Sequence, residues 1–389
     1  MPDPGLVVVG ASLAGVRAAE AARRAGYAGT VTVVDADPDE PYDRPPLSKK
    51  FLLNAEMASP PAILRAEAAA RSDIELRLGL RATGLDPQAR LLHLDGSSVP
   101  YHRLVIATGC GARRLDVPGA ELPGVHYLRD LRDAHGLRSS LADAERVVVV
   151  GGGFIGMEVA STLLELGKQV TLVEVAPALL GVLGPDLSRW VEEAFRERGG
   201  ILHLHAGVAA IDGADRVQGV TLSDGRQLAA DLVVVGVGAV PHVNWLAGSG
   251  IELDNGIVCT SRLETNLPHV YAAGDVARWH SQRLGRHHRV EHWSNAVMQG
   301  IAAGTNASGC AEPVDFDEIP YFWSDFLGVR VQVAGHLTLW DGHDVAIEDA
   351  DGAVHRYAAS GRIVAIAARD AQRNFAKQRR LVGSLVEAI

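Results

Sequence analysis

Two glycine-rich turns carry the clearest chemistry in the sequence. The first in strength is Val147-Val-Val-Val-Gly-Gly-Gly-Phe-Ile-Gly156, in which Gly151, Gly153 and Gly156 complete a G-x-G-x-x-G. Gly151 permits a tight turn, Gly153 lets backbone N–H groups approach a pyrophosphate, and Gly156 lets the following helix pack close to its sheet. The helix N-terminus then offers partial positive charge to phosphates. Glu174 follows at the end of the next apolar run, about twenty residues on, where a carboxylate can accept from ribose hydroxyls. That carboxylate would repel a 2′-phosphate. Val175, Ala176, Pro177 and Ala178 supply no arginine to hold one, so NADH is expected over NADPH.

The second turn is Gly10-Ala-Ser-Leu-Ala-Gly15, followed by Asp35. Ser12 replaces the middle glycine. Serine is small enough for close phosphate approach, and its hydroxyl can add a hydrogen bond. Three further segments end apolar runs in small residues that let backbone pass close to a cofactor. They are Leu104-Val-Ile-Ala107-Thr108-Gly109, Leu232-Val-Val-Val-Gly-Val-Gly238 and Tyr271-Ala-Ala-Gly274-Asp275. In the last, the carboxylate can accept from a polyol chain. Each of these alone is also an ordinary strand end.

These turns need strands before them and helices after them. Apolar runs of strand length recur at Leu6–Val9, Val31–Val34, Leu104–Ala107, Val147–Val150, Val170–Val173 and Leu232–Val235. Such continuous runs imply a sheet covered on both faces. Helical stretches follow two of them, at Gly15–Ala25 and Gly156–Gly167, so a βαβ unit is predicted twice. The copies start about 140 residues apart, which means two separate nucleotide domains and not a short tandem repeat. After Pro313 the texture changes. Val329–Val333, His336–Leu339, Val345–Glu348 and Arg362–Ile366 read as short antiparallel strands, and a basic helix is predicted over Ala371–Leu385. The predicted class is α/β, with two Rossmann-like domains and a C-terminal α+β domain. The expected divisions are 1–112 and 241–312 for one nucleotide domain in two parts, 113–240 for the other, and 313–389 for the last.

Composition agrees with a globular chain of several domains. A chain of 389 residues, 47% hydrophobic and 22% charged, is a normal globular mix of two or three domains. The formal net charge of −10 argues against a general nucleic-acid binder. Cys110, Cys259 and Cys310 are widely spaced, with no C-x-x-C and no metal-ligand pattern, and read as reduced thiols. No apolar run approaches the ~18 residues of a membrane span. The N-terminus enters a strand without a signal peptide, so a cytoplasmic protein is expected.

Taken in order, Gly10–Gly15, Ala107-Thr-Gly109, Gly151–Gly156, Val235-Gly-Val-Gly238 and Ala273-Gly-Asp275 resemble the two-dinucleotide flavoproteins that include glutathione reductase. Tyr42-Asp-Arg-Pro-Pro-Leu-Ser-Lys49, Glu291-His-Trp293 and Pro320-Tyr-Phe-Trp323-Ser-Asp325 narrow the resemblance to the NADH:ferredoxin reductases of bacterial oxygenase systems. Putidaredoxin reductase and biphenyl dioxygenase ferredoxin reductase are of this type. The resemblance implies FAD at Gly10–Gly15, Asp35 and Asp275, and NADH at Gly151–Gly156 and Glu174. Arg44 would meet the FAD phosphate and ribose region, and Lys49 the flavin N5 edge. Glu158 would lie near the nicotinamide, paired with Lys49, and Trp293 and Trp323 beside the rings. Leu13, Ala14, Arg129, Phe154, Ile155, Gly238, Glu291 and His292 complete the implied cofactor-binding set. Read without the family, Lys49 is a loop lysine, Glu158 a helix-surface carboxylate and each tryptophan plain core.

The implied activity is hydride transfer from NADH to FAD, then single-electron delivery to a [2Fe–2S] ferredoxin that feeds a P450 or Rieske-type oxygenase. Disulfide reductases of the superfamily keep a cysteine pair beside the flavin, whereas Arg44–Leu53 contains no cysteine. Rubredoxin reductase differs only in partner. An interaction protein like apoptosis-inducing factor, which binds the same cofactors, is the reading from a different class. Phe326 stands where the family often carries a polar residue. Docking of an acidic ferredoxin would call on Arg278, Arg283, Arg286 and Arg289 with His280, His287 and His288, or on Lys377, Arg379 and Arg380.

Overall fold

The structure, a computed structural model, describes residues 4–349 and 352–386. By backbone contacts the chain forms two compact units. One takes Met1–Asp43, Pro61–Gly111 and Val240–Phe322, and the other Arg44–Pro60, Ala112–Ala239 and Trp323–Ile389.

The first unit is built on a five-stranded parallel sheet. Its strands run in the order Val270–Ala272, Arg103–Ile106, Leu6–Val9, Val31–Val34, Ile74–Arg77. Leu6–Val9 and Val31–Val34 are buried at every position, as strands covered on both faces must be. The helix Leu13–Arg24 follows the first strand and buries Leu13, Ala14, Val16, Ala18, Ala19 and Ala22. A second helix, Trp293–Ser308, packs on it with almost no gap. A Cβ on Gly300 or Gly304 would overlap the carbonyl oxygens of Ala14 or Ala18. The antiparallel strands Ala82–Asp86, Leu91–Leu94 and Ser97–Pro100 form a small separate sheet.

The second unit repeats the plan. Its parallel sheet runs Ile201–His203, Gln169–Val173, Arg146–Val150, Leu232–Val235, Val125–Tyr127. The edge strand Val125–Tyr127 beside Leu232–Val235 precedes the others in sequence, whereas its counterpart in the first unit, Val270–Ala272 beside Arg103–Ile106, comes last. The helix Phe154–Glu165 follows the central strand. The strands Val208–Asp212, Gly219–Leu222 and Gln227–Ala229 make the matching antiparallel piece. The chain ends in a five-stranded antiparallel sheet in the order Tyr321–Phe326, Val329–Gly335, Arg362–Arg369, Gly352–Ala359, Gly342–Asp349.

Two expectations for this last region fail. His336–Leu339 is a turn, not a strand: Gly335 adopts φ +94°, and Leu339 N–H closes on the His336 carbonyl at 3.2 Å. The predicted helix 371–385 is only Gln372–Gln378, followed by a 3-10 turn Arg379–Leu381. Beyond it the backbone leaves the helix to pair with a strand edge. Gly383 N–H donates to Ile363 (2.8 Å) and Ile363 N–H to Ser384 (2.9 Å). Tyr321–Phe326 and Gly352–Ala359 are strands that the sequence reading did not include.

Candidate functional site: two glycine cradles and a buried ion pair

The two glycine turns are built alike. Gly10 and Gly151 take φ +108° and +105°, a conformation that side chains resist. Gly10 N–H donates to the neighbouring strand at Val34 (2.7 Å), and Gly151 N–H to Val173 (2.8 Å). Five residues on, a Cβ at Gly15 or Gly156 would overlap the carbonyl oxygen of Gly10 or Gly151, so each helix starts hard against its turn. Neither helix has an acidic residue in its first turn, and neither Ser12 nor Gly153 makes a side-chain cap. With no acidic side chain in the first turn, the positive end of each helix dipole suits an anion. No atom of the described residues lies within 4 Å of where a Cβ on Gly153 would stand, which keeps that cradle open.

Asp35 and Glu174 serve these turns in a way the sequence did not show. Asp35 accepts from Ala11 N–H through Oδ2 and from Asp37 N–H at 2.8 Å through Oδ1. Glu174 accepts from Gly152 N–H at 2.5 Å through Oε2 and from Ala176 N–H at 2.7 Å through Oε1. Each carboxylate pins its glycine turn to the strand end. An ionised carboxylate has about four lone-pair positions, so capacity remains for ribose hydroxyls.

The first unit gathers Gly10, Ser12, Leu13, Ala14, Gly15, Asp35, Ala107, Thr108, Gly109, Gly274, Asp275, Glu291, His292 and Trp293. Gly274 N–H donates to Gln299 Oε1 at 2.9 Å. Trp293 opens its helix, is 38% exposed, and donates from Nε1 to Asp43 Oδ1 at 2.8 Å, so it is not core. Burial holds the His292 imidazole down to about 4, so it is neutral near pH 7. His292 Nδ1, both amide atoms of Asn295 and Gln299 Nε2 are buried without a partner among the described residues. Native proteins rarely leave such groups unpaired. Polar atoms unsatisfied beside the Gly274 turn fit the polar edge of a bound cofactor such as FAD. Sequence reasoning missed Asn295 and Gln299. Their signal was polar side chains on the face that Ala296, Ala303 and Ala307 mark as buried.

The second unit gathers Arg44, Lys49, Arg129, Gly151, Gly153, Phe154, Ile155, Gly156, Glu158, Glu174, Gly238 and Trp323. The segment carrying Lys49 is a 3-10 turn, Pro45–Ser48, and a short helix, Lys50–Leu53. Arg138 fixes it, lying 4.1 Å over the Phe51 ring and donating to the carbonyls of Phe51 (3.3 Å), Asn54 (3.1 Å) and Met57 (2.7 Å). Lys49 Nζ meets Glu158 Oε2 at 2.6 Å. Glu158 is 6% exposed and is not a surface carboxylate. Ser48 Oγ donates to its Oε2 at 2.6 Å and Ser324 Oγ to its Oε1 at 2.5 Å. Thr162 Oγ1 in turn holds the Ser48 carbonyl at 2.7 Å. Two segments, one carrying Ser48 and Lys49 and the other Ser324, thus converge on this one carboxylate, and Ser48 and Ser324 were not foreseen. Trp323 immediately precedes Ser324 on its strand and is half-buried. Phe326, on the same strand, is buried.

The expected docking group around residues 278–289 is largely engaged within the protein. Arg278 pairs with Asp254 (2.7 Å), Arg283 with Asp317 (3.7 Å) and Arg289 with Glu291 (2.7 Å). Arg289 is only 12% exposed and leaves the docking set on that ground. His280 and His287 face each other across a hairpin with ring centres 5.3 Å apart. Arg286, Lys377, Arg379 and Arg380 are exposed.

Twin dinucleotide cradles with a lysine–carboxylate pair define a class, and the chain belongs to the pyridine nucleotide-disulphide oxidoreductase family, which matches residues 4–300. A reductase C-terminal family matches residues 321–388. The chain is 37% identical over 386 residues to a ferredoxin–NAD(P)+ reductase from Sphingomonas sp, covering 97% of this chain and 92% of that protein. It is 35% identical to the ferredoxin–NAD+ reductase component of the biphenyl dioxygenase system of Paraburkholderia xenovorans, over 98% of this chain and 93% of that one. Among solved structures, the ferredoxin reductase of the CYP199A2 system from Rhodopseudomonas palustris superposes with a TM-score of 0.92. The two share 33% identity, over 97% of this chain and 94% of that one. The covalent putidaredoxin reductase–putidaredoxin complex gives 0.91 at 31% identity, over 99% and 94%.

Proposed function

We propose that this chain is the NADH-dependent, FAD-containing ferredoxin reductase of an oxygenase system. It takes reducing equivalents from NADH and delivers them to a [2Fe–2S] ferredoxin serving a P450 or Rieske-type oxygenase. The carrying observation is that one chain holds two dinucleotide cradles while residues 44–53, beside the buried lysine–carboxylate pair, contain no cysteine. Thiol–disulfide chemistry has no residue to act through there, so a protein electron carrier is the exit. The relatives named as ferredoxin reductases support the same reading.

FAD, when bound, accepts a hydride from the nicotinamide and releases its electrons one at a time. The residues of the chain do the positioning. Gly10, Ser12 and Gly15 receive the FAD pyrophosphate, Asp35 the adenosine ribose, and Asp275 the polyol chain. Arg44 and Arg129 add cationic and backbone contacts. Gly151, Gly153 and Gly156 receive the NADH pyrophosphate and Glu174 its ribose. Lys49 supplies positive charge where negative charge gathers on reduction. Glu158 fixes Lys49, and Trp293 and Trp323 wall the rings. Glu174 carries the preference for NADH in this reading, because a carboxylate at the ribose would repel a 2′-phosphate and residues 175–178 offer no cation to hold one. The domains in this reading are 1–112 with 241–312 for FAD, 113–240 for NADH and 313–389 for the partner interface.

The cytoplasm is the assigned compartment. No helix among the described residues is long and apolar enough to cross a membrane, and no disulfide joins the three cysteines. The test is cytochrome c reduction by the purified flavoprotein with NADH or NADPH, with and without a [2Fe–2S] ferredoxin. The reading requires rates that depend on ferredoxin and a kcat/KM favouring NADH. Equal rates without ferredoxin would remove the carrier role. Stimulation by rubredoxin alone would shift the partner.

A further inference from the structure

Arg289 was expected on a docking face, yet its guanidinium points into the first unit. Nη1 donates to the Asp275 carbonyl at 2.9 Å, to Glu291 Oε1 at 2.7 Å and to Cys110 Sγ at 3.3 Å. Cys110 Sγ itself donates to the Asp275 carbonyl at 3.4 Å. Nη2 reaches Asn255 Oδ1 at 3.4 Å, and Nε is buried with no partner among the described residues. Three segments meet at this one head group. Cys110 directly follows the Ala107-Thr-Gly109 strand end, Asp275 sits in the 3-10 turn Gly274–Val276, and Glu291 precedes the helix at Trp293.

We propose that Arg289 is a positioning residue for the FAD cradle, locking these three segments so that the Asp275 carboxylate is presented to the cofactor. This rests on the reading that Gly10–Gly15 and Asp275 hold FAD. The geometry suits the role. A guanidinium has five donors in a rigid fork and stays charged at all working pH, so one side chain can serve several acceptors at fixed angles. Its hold on Asp275 is through the backbone carbonyl and not through the carboxylate. A docking cation, by contrast, must present its charge to solvent before the partner arrives, and this one does not. Glu291 neutralises the charge locally, so Arg289 contributes little to any long-range field.

The test is FAD release from the holoenzyme on dilution, followed by flavin fluorescence, in wild type, Arg289→Ala and Arg289→Lys. Loss of a charge-assisted hydrogen bond is worth about a ten- to hundred-fold change in an equilibrium constant, and FAD retention in Arg289→Ala should fall by about that factor. Arg289→Lys keeps the charge without the fork and should fall between the two. The melting temperature should fall less in the flavin-free protein than in the FAD-loaded protein with either variant. Wild-type release from Arg289→Ala overturns the proposal. It is also overturned by an equal loss of stability in the flavin-free protein, which would make Arg289 a general support of the fold. Normal FAD retention with a flattened salt dependence of ferredoxin reduction would return it to the docking surface. A wild-type protein that holds no FAD would overturn the cofactor reading instead, a separate outcome visible before any variant is made.

Discussion

Replacing Lys49 with methionine leaves the Glu158 carboxylate buried with two serine hydroxyls and no counter-charge. The pair is 2.6 Å long, and its side chains are 23% and 8% exposed. Breaking a buried pair by removing one partner costs ~3–5 kcal/mol, because the remaining charge is uncompensated. Lys49 is partly reached by water, and Ser48 and Ser324 stay in place, so a cost of ~2–3 kcal/mol is the better expectation. At ~2–4 °C per kcal/mol for a unit of this size, the melting temperature should fall by about 4–12 °C. Glu158→Leu should cost a similar amount by stranding the ammonium. The double variant Lys49→Met/Glu158→Leu removes both charges and should lose clearly less than the sum of the two. Calorimetry of the FAD-loaded protein across this cycle measures the coupling. Additive losses, or a Lys49→Met variant that melts like wild type, would refute the account of the pair.

Other predictions follow from single groups. Gly156→Ala forces a methyl into the Gly151 carbonyl, so NADH affinity should fall by at least about ten-fold in a fluorescence titration while the flavin stays bound. Asp231, which accepts from Arg146 and from the Glu145 and Arg146 amides, is held down to about 2 chiefly by the Arg146 hydrogen bond. A carboxyl lowered on folding stabilises above its ordinary value and loses that stability as pH falls. The melting temperature should therefore drop between about pH 4 and pH 2, and Asp231→Asn should flatten that drop. Cys259 is buried and its thiol is pushed up by desolvation, whereas Cys310 is exposed. Iodoacetamide on the native protein should label Cys310, with Cys259 reacting only after unfolding, as mass spectrometry of peptides would show.

The parts of the fold legible in the sequence were those dictated by one local rule. Runs such as Leu6–Val9 and Leu232–Val235 are buried at every position, and no amphipathic alternative fits them. Gly10 and Gly151 announced their turns because no other residue takes their φ at so little cost. What stayed hidden was set by distant partners. Ser48 and Ser324 are 276 positions apart and meet only on Glu158. Asp35 and Glu174 were read for their ligand, and their hold on the glycine turns needed geometry to see. The tail after Gln378 has helical composition, yet pairing with Gly361–Ile363 outweighs that propensity. Arg289 carries the same charge as its exposed neighbour Arg286, and only burial separates their roles.

Anaerobic titration of the purified protein with NADH, followed by oxidised [2Fe–2S] ferredoxin, tests the central claim most directly. One equivalent of NADH should bleach the flavin absorbance, and two equivalents of ferredoxin should restore it, each ferredoxin taking one electron. A colourless protein that takes up no FAD, or a bleached flavin that ferredoxin leaves reduced, would contradict the account.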